Sequence, residues 1–191
     1  MKNFLIVIFL FSCFYSYAQE PGVRLYAGIT NAKNRVLAVT PNGEAHAGYH
    51  FGADGRLNGG KMFFVIGARY TNIDLLSTSS PNYFSPATSH RILSGRVGLG
   101  WHLISFSNKS SLRGKVLLQL DNFLGYDEEL IENRNLYNSL VDASGGATVG
   151  LGVQLNFITL DIEYEYGLVN TYSMEKETKM DVLSVSVGAF F

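Results

Sequence analysis

The segment from Phe157 to Leu168 alternates strictly between apolar and polar side chains, and this pattern constrains the fold more than any other part of the sequence. The apolar positions are Ile158, Leu160, Ile162, Tyr164, Tyr166 and Leu168, and the others are Thr159, Asp161, Glu163, Glu165 and Gly167. Because successive side chains of a strand leave opposite faces, a period of two predicts a β-strand. A soluble sandwich would bury the apolar face, whereas a membrane barrel would turn it to lipid and enclose the carboxylates in a polar lumen.

Eight segments of the chain share this period. They are Val23–Thr30, Ala45–Ala53, Met62–Tyr70, Arg91–Leu103, Leu112–Phe123, Gly146–Asn156, Phe157–Leu168 and Met180–Phe191. A tilted transmembrane strand needs about 9–11 residues, whereas strands of soluble proteins average about 5–6. The lengths therefore favour an all-β fold, an eight-stranded antiparallel transmembrane β-barrel with up-and-down connections.

The connections between these segments alternate in length. The long ones are Thr30–Glu44, Thr71–His90, Leu124–Gly145 and Val169–Lys179, and the short ones are Asp54–Lys61, Ser105–Ser111 and a turn near Asn156. Outer-membrane barrels have long extracellular loops and short periplasmic turns. The alternative is a soluble eight-stranded binding protein. Such a protein is not expected to have long loops at one end and short turns at the other, and its interior would be apolar.

Aromatic side chains are expected at both rims of such a barrel, because amphipathic rings favour the lipid–water interface. The strand directions place Phe51, Trp101, Phe157 and Phe191 near the periplasmic ends. They place Tyr70, Tyr164 and Tyr166 near the other rim.

The first residues read as a secretory signal, which predicts a signal peptide over 1–18 and a barrel domain over 19–191. Lys2 gives the positive start, Phe4 to Phe14 the apolar run, and Ser16-Tyr17-Ala18 the cleavage site. A lipoprotein cleaved before Cys13 is the alternative. Since Cys13 is the only cysteine, a chain cleaved after Ala18 has no disulfides or thiolate metal sites. A net charge of −1 does not favour nucleic-acid binding.

With these features the chain resembles the small outer-membrane β-barrel (porin-like) family of Bacteroidetes type. The resemblance is carried by the signal sequence, the eight segments, the run from Tyr164 to Asn170 and the terminal Phe190-Phe191. It implies a location in the cell outer membrane of a Gram-negative cell, with outer-membrane lipids and lipopolysaccharide as surroundings. It also implies that Phe191 is an assembly signal read by the barrel-assembly machinery. The oligomeric state stays open.

The polar face of the segments carries charges of both signs. The cations are Arg24, Arg69, Arg96, Arg113 and Lys115, and the anions are Asp121, Asp161, Glu163 and Glu165. Buried charges are tolerated when they are paired, and eight strands leave an interior that side chains fill. We therefore predict a salt-bridged lumen that locks the barrel; a proton or ion path is the alternative.

Two other patterns are candidate sites. His46 and His50 lie four positions apart, which on a strand of about 3.3 Å rise per residue separates them by about 13 Å, so no metal site is expected. The pairs Gly98/Gly100 and Gly150/Gly152 lie on the inward face, where missing side chains would make room for Arg and Tyr. We interpret Gly55 to Gly60 as a turn.

The long loops are the expected place of specific function. Asp127, Glu128, Glu129 and Glu132 make one loop acidic, suited to divalent cations that bridge lipopolysaccharide or to a basic partner, and Glu128–Tyr137 could form a short helix.

We predict a non-enzymatic protein without cofactor or catalytic residues and with a structural or surface-interaction role. A lipid-modifying hydrolase at the rim and a narrow porin-like channel are the alternatives. The hydrolase would need a serine, a histidine and a carboxylate within hydrogen-bond reach of one another. The candidate serines are Ser77, Ser79, Ser80, Ser85 and Ser89, and the candidate histidines are His90 and His46.

Overall fold

The computed structural model describes residues 22–34, 46–59, 61–74, 89–107, 110–125, 143–170 and 179–191. The predicted signal peptide 1–18, with Cys13, lies outside these residues. So do the acidic residues 127–132, the possible helix 128–137, and Ser77, Ser79, Ser80 and Ser85.

Eight antiparallel strands close into one barrel, in which each strand pairs with its neighbours in sequence and the first pairs with the last. The strands are β1 (Gly22–Asn34), β2 (His46–Gly59), β3 (Met62–Asp74), β4 (Ser89–Ser107), β5 (Ser110–Gly125), β6 (Ala143–Leu155), β7 (Ile158–Gly167) and β8 (Met180–Phe190). The predicted fold, an eight-stranded antiparallel up-and-down barrel, is confirmed.

One end of the barrel carries only short turns, which we call the turn end. Gly59 pairs with Met62 and Leu155 pairs with Ile158, so two residues join each of these strand pairs. Asn156, with a φ of 57°, takes the left-handed conformation that such tight hairpin turns require. The opposite end, which we call the loop end, carries connections 35–45, 75–88, 126–142 and 168–179.

Six of the eight strands are longer than the alternation predicted, most of all at the turn end of β2, whereas β7 and β8 are slightly shorter. The interpretation of Gly55 to Gly60 as a turn is wrong, because β2 continues in pairing with β3 as far as Gly59. Asp54 and Arg56 therefore lie on a strand and point inward, where both are buried.

The apolar face points outward. Ile162 is 53% exposed, and Leu160 and Val185 are exposed with it, whereas Glu163 is only 3% exposed. A soluble barrel would have the opposite arrangement, so the exterior matches hydrocarbon and the alternative of a soluble binding protein is wrong.

Two of the aromatic side chains predicted at the turn end lie where expected, and a third does not. Trp101 lies opposite Met62, the first residue of β3, and Phe157 lies in the β6–β7 turn, both at the turn end. Phe51 was predicted there but lies opposite Ala27 in the middle of β1, with its ring 5.0 Å from that of Tyr70. The prediction failed because β2 extends well beyond Ala53, which moves Phe51 toward mid-height.

Candidate functional site in the barrel lumen

The lumen is polar at mid-height and holds apolar clusters toward its ends. At the loop end, one buried cluster consists of Ala32, Ile73, Ile92, Met180 and Val182. A second consists of Phe63, Val65 and Leu117. Between and around them lies a network of charged side chains, which we call the lumen charge network.

Arg24 holds together carboxylates from two strands. Its guanidinium donates to Asp161 Oδ2 at 2.5 Å and to Asp54 Oδ2 at 2.9 Å, and Glu163 Oε1 lies 3.8 Å away. The guanidinium also sits 4.2 Å from the ring centre of Tyr26. A fully buried arginine is stable only with such partners.

Glu163 is the carboxylate with most cationic neighbours. Its Oε2 accepts from Arg96 at 2.5 Å and lies 3.6 Å from Arg69, while its Oε1 pairs with the ammonium of Lys115. Lys115 also binds Asp161 at 3.1 Å. With Arg24 of β1 at 3.8 Å, cations from four strands converge on this carboxylate of β7.

A second group of contacts surrounds Glu165 toward the loop end. Arg69 donates to Glu165 Oε2 at 2.6 Å. Gln119 Nε2 lies 2.8 Å from the same oxygen and 2.7 Å from Asp121 Oδ1. An amide therefore bridges the two carboxylates, which would otherwise repel each other.

The structure brings together the predicted residues Arg24, Arg69, Arg96, Arg113, Lys115, Asp121, Asp161, Glu163 and Glu165. It adds three residues that the sequence analysis missed, namely Tyr26, Asp54 and Arg56. Arg96 Nη1 donates to Tyr26 Oη at 2.6 Å, and Asp54 Oδ1 lies 3.4 Å from that hydroxyl. Continuing the inward period of β2 past Gly52 would have identified both Asp54 and Arg56.

Glycines on the inward face make space for neighbouring side chains, although these are not the Arg and Tyr side chains that the sequence predicted. A Cβ on Gly152 would lie 2.3 Å from Asp161, and one on Gly150 would meet Lys115 and Glu163. Gly98 adjoins Leu117, and Gly100 adjoins the ring of Phe63. The prediction that these four make room for Arg and Tyr is wrong; a different glycine, Gly52, accommodates Tyr26.

The turn end of the lumen holds a small cavity of about 10 Å³, lined by Asp54, Arg56, Phe63, Val65, Arg113, Lys115 and Asp161. Arg56 donates to Gln154 Oε1 at 3.0 Å, and its guanidinium lies over the rings of Phe63 and Phe190. Nearby, His102 Nδ1 lies 3.0 Å from Ser111 Oγ.

Two of the candidate histidines are buried. His50 is buried, with its ring 6.0 Å from that of Tyr26. His90 is buried opposite Ile73 in the β3–β4 pairing. Within the part of the chain that the structure describes, no three His, Cys, Asp or Glu side chains form a group that could hold a metal ion. Across the same residues, no helix has the length and apolarity to cross a bilayer.

The closed antiparallel barrel, its apolar exterior and its charged interior define the class: the chain has the fold of a small outer-membrane β-barrel. No protein-family model matches the sequence, and no curated protein matches it.

Solved structures share this fold. Neisserial surface protein A (NspA) is 18% identical, covering 88% of this chain and 97% of its own, with a TM-score of 0.55. Ail, the attachment invasion locus protein of Yersinia pestis, in complex with the heparin analogue sucrose octasulfate, is 12% identical, covering 91% and 100%, with a TM-score of 0.49. These likenesses do not point to a Bacteroidetes type, which stays an expectation of the sequence.

Proposed function

We propose that this protein is an integral outer-membrane β-barrel whose lumen is plugged by its own side chains, and that it acts through its extracellular loops in membrane integrity or surface binding. On this proposal the turn end faces the periplasm and the loop end faces the cell exterior. The protein is then not an enzyme, and the barrel is a rigid platform.

The observation that carries the proposal is the ion pair between Arg69 and Glu165 at 2.6 Å. These side chains come from β3 and β7, which lie opposite each other in the closed eight-strand order, so the pair reaches across the lumen. The carboxylates of β7 also bind cations of β1, β4 and β5. Such a network stabilises the barrel and leaves little room for solute.

The exterior supports the location. A continuous apolar surface on strands of 10 to 19 residues suits the outer membrane, where barrels span with strands. The described fold matches a protein named for its place on the neisserial surface. The expected surroundings are outer-membrane lipids and lipopolysaccharide.

Fractionation and gel mobility test the location. The folded barrel should partition with outer membranes and migrate differently in unboiled and boiled samples. Recovery in the soluble periplasmic fraction would contradict the proposal.

Planar-bilayer recording tests the plugged lumen. The purified barrel should give no discrete single-channel steps, and a reproducible unitary conductance would instead support the channel alternative.

Hydrolysis of a phospholipid or acylated lipopolysaccharide by the folded barrel, but not by its heat-denatured form, would support the rim hydrolase.

The acidic loop gives a test of surface binding. Neutralising it with D127N, E128Q, E129Q and E132Q should weaken calcium-dependent binding of lipopolysaccharide vesicles to the folded barrel. The matched control changes four serines of another loop with S77A, S79A, S80A and S85A, and should bind as the unaltered protein does. Equal binding by both variants would remove this loop from the proposal.

A further inference from the structure

Arg56 is a buried cation without a carboxylate partner among the described residues. It is 7% exposed, and its hydrogen-bond partner is the neutral amide of Gln154. The rings of Phe63 and Phe190 hold the guanidinium at 5.3 and 4.6 Å from their centres. Cation–π contacts of this kind orient the charge but do not neutralise it. A buried charge is costly to leave without a counter-ion.

Arg113, which lines the small turn-end cavity together with Arg56, is poorly neutralised. It is 3% exposed, and within the described chain its one carboxylate contact is Asp161 Oδ2, at 3.5 Å. That carboxylate already binds Arg24 at 2.5 Å and Lys115 at 3.1 Å. Arg113 Nε is buried and has no hydrogen-bond partner among these residues.

The buried charges as a whole are also unbalanced, with positive charge in excess. Across the strand residues that the structure describes, they comprise the cations Arg24, Arg56, Arg69, Arg96, Arg113 and Lys115 and the anions Asp54, Asp121, Asp161, Glu163 and Glu165. Cations exceed anions by one, and the two cations with the weakest pairing, Arg56 and Arg113, line one cavity.

We propose that this cavity binds a monatomic anion of halide size, with chloride as the abundant candidate, between Arg56 and Arg113. The cavity volume of about 10 Å³ is the room of about one water molecule, which admits a single small ion and excludes phosphate or sulfate. The two lining carboxylates already bind other cations: Asp54 and Asp161 both bind Arg24, and Asp161 also binds Lys115. The guanidinium groups of Arg56 and Arg113 are therefore the donors that the cavity offers an anion.

The ion enters from the turn end. Arg56 lies near the last residues of β2 and faces Gln154 near the end of β6, which places the site beside the turn-end mouth. Toward the loop end the lumen holds the buried apolar cluster around Ile73 and Met180, which an anion would cross only at a high desolvation cost.

Bromide replaces chloride in the direct test. Crystals of the full chain grown in bromide at an ionic strength of about 0.15 M should give an anomalous difference peak between the Arg56 and Arg113 guanidinium groups. An ordered water there without an anomalous signal would overturn the proposal.

Thermal unfolding in detergent gives a solution test with matched variants. The unaltered protein should unfold at a Tm about 2–4 °C higher in sodium chloride than in sodium gluconate of equal ionic strength. R91Q, which removes an exposed arginine of β4, should keep this difference, whereas R56Q and R113Q should lose it. A chloride effect that persists in both R56Q and R113Q, or that is absent from the unaltered protein, would contradict the site. Should those variants fail to fold, the bromide crystals decide.

Discussion

Arg24 on β1 and Asp161 on β7 form a 2.5 Å ion pair inside the lumen, although 137 positions separate them in the sequence. The pair bypasses β8, which lies between the two strands in the closed sheet. Side chains on the inner wall thus add connections that the backbone ladder does not make.

Breaking one partner of this network should be costly. E163Q removes the charge that Arg96 contacts at 2.5 Å, and we expect the free energy of unfolding to fall by about 3–5 kcal/mol, because a buried cation loses its counter-ion. R96Q should cost a similar amount. Urea unfolding of the refolded barrel, followed by the fluorescence of Trp101, the single tryptophan, measures both.

The double variant R96Q/E163Q measures the coupling between Arg96 and Glu163 separately from the cost of leaving one of the two charges buried without its partner. It should lose less than the sum of the two single changes, because neither charge is then left alone. S94A, which removes only an acceptor at 3.3 Å from Gln119, is the control and should cost about 1 kcal/mol or less. Strict additivity of R96Q and E163Q would contradict direct coupling.

A charge on the lipid face should destabilise according to its depth. Ile162 lies mid-strand on β7, opposite Leu151, and I162R should cost about 2–4 kcal/mol. Leu155, at the turn end, is the matched position, and L155R should cost about 0–1 kcal/mol. Unfolding in lipid vesicles measures the difference, and equal costs would argue against a bilayer centred on Ile162.

Two glycines of β4 test the packing of the lumen. A Cβ on Gly100 would lie 2.2 Å from the Phe63 ring, so G100A should destabilise by about 1–3 kcal/mol through overpacking. A Cβ on Gly95 meets nothing within 4 Å, so G95A should be neutral or slightly stabilising. Heat-modifiability at increasing temperature ranks the two, and a reversed order would contradict the inward packing of Phe63.

Phe191 tests the proposed assembly signal. Its side chain is 74% exposed, so F191A should change the stability of the refolded barrel by only about 0.5 kcal/mol. In cells the same change should lower the amount of folded protein in the outer membrane, if the barrel-assembly machinery reads this residue. Comparing cellular yield with refolding in detergent distinguishes the two effects, and an unchanged cellular yield would remove the assembly role.

The sequence predicts which face a side chain occupies far better than its height or its partner. Alternation correctly placed Asp161, Glu163 and Arg24 inside, because a period of two determines the face of a strand. Height depends on where each strand ends and on the stagger that closes the barrel, which no single segment encodes. Phe51 was misplaced for this reason.

Arg56 and Asp54 were missed for a related reason. The run from Gly55 to Gly60 contains three glycines, which favour a turn when they are considered locally. In the barrel, the pairing of β2 with β3 overrides that local preference. Ion-pair partners such as Arg69 and Glu165 could not be matched without the register and curvature of the whole sheet.

The seam between β1 and β8 determines when the barrel becomes complete. Arg24 through Asn34 of β1 pair with Met180 through Phe190 of β8. The first strand and the last strand therefore each lack one neighbour until they pair with each other. Until these two strands pair, the barrel has no closed lumen in which the charged side chains of β1 can be buried. Folding of this chain is therefore expected to be all-or-none, and a fragment ending before Met180 should collect as an open, aggregation-prone sheet and not as a smaller barrel.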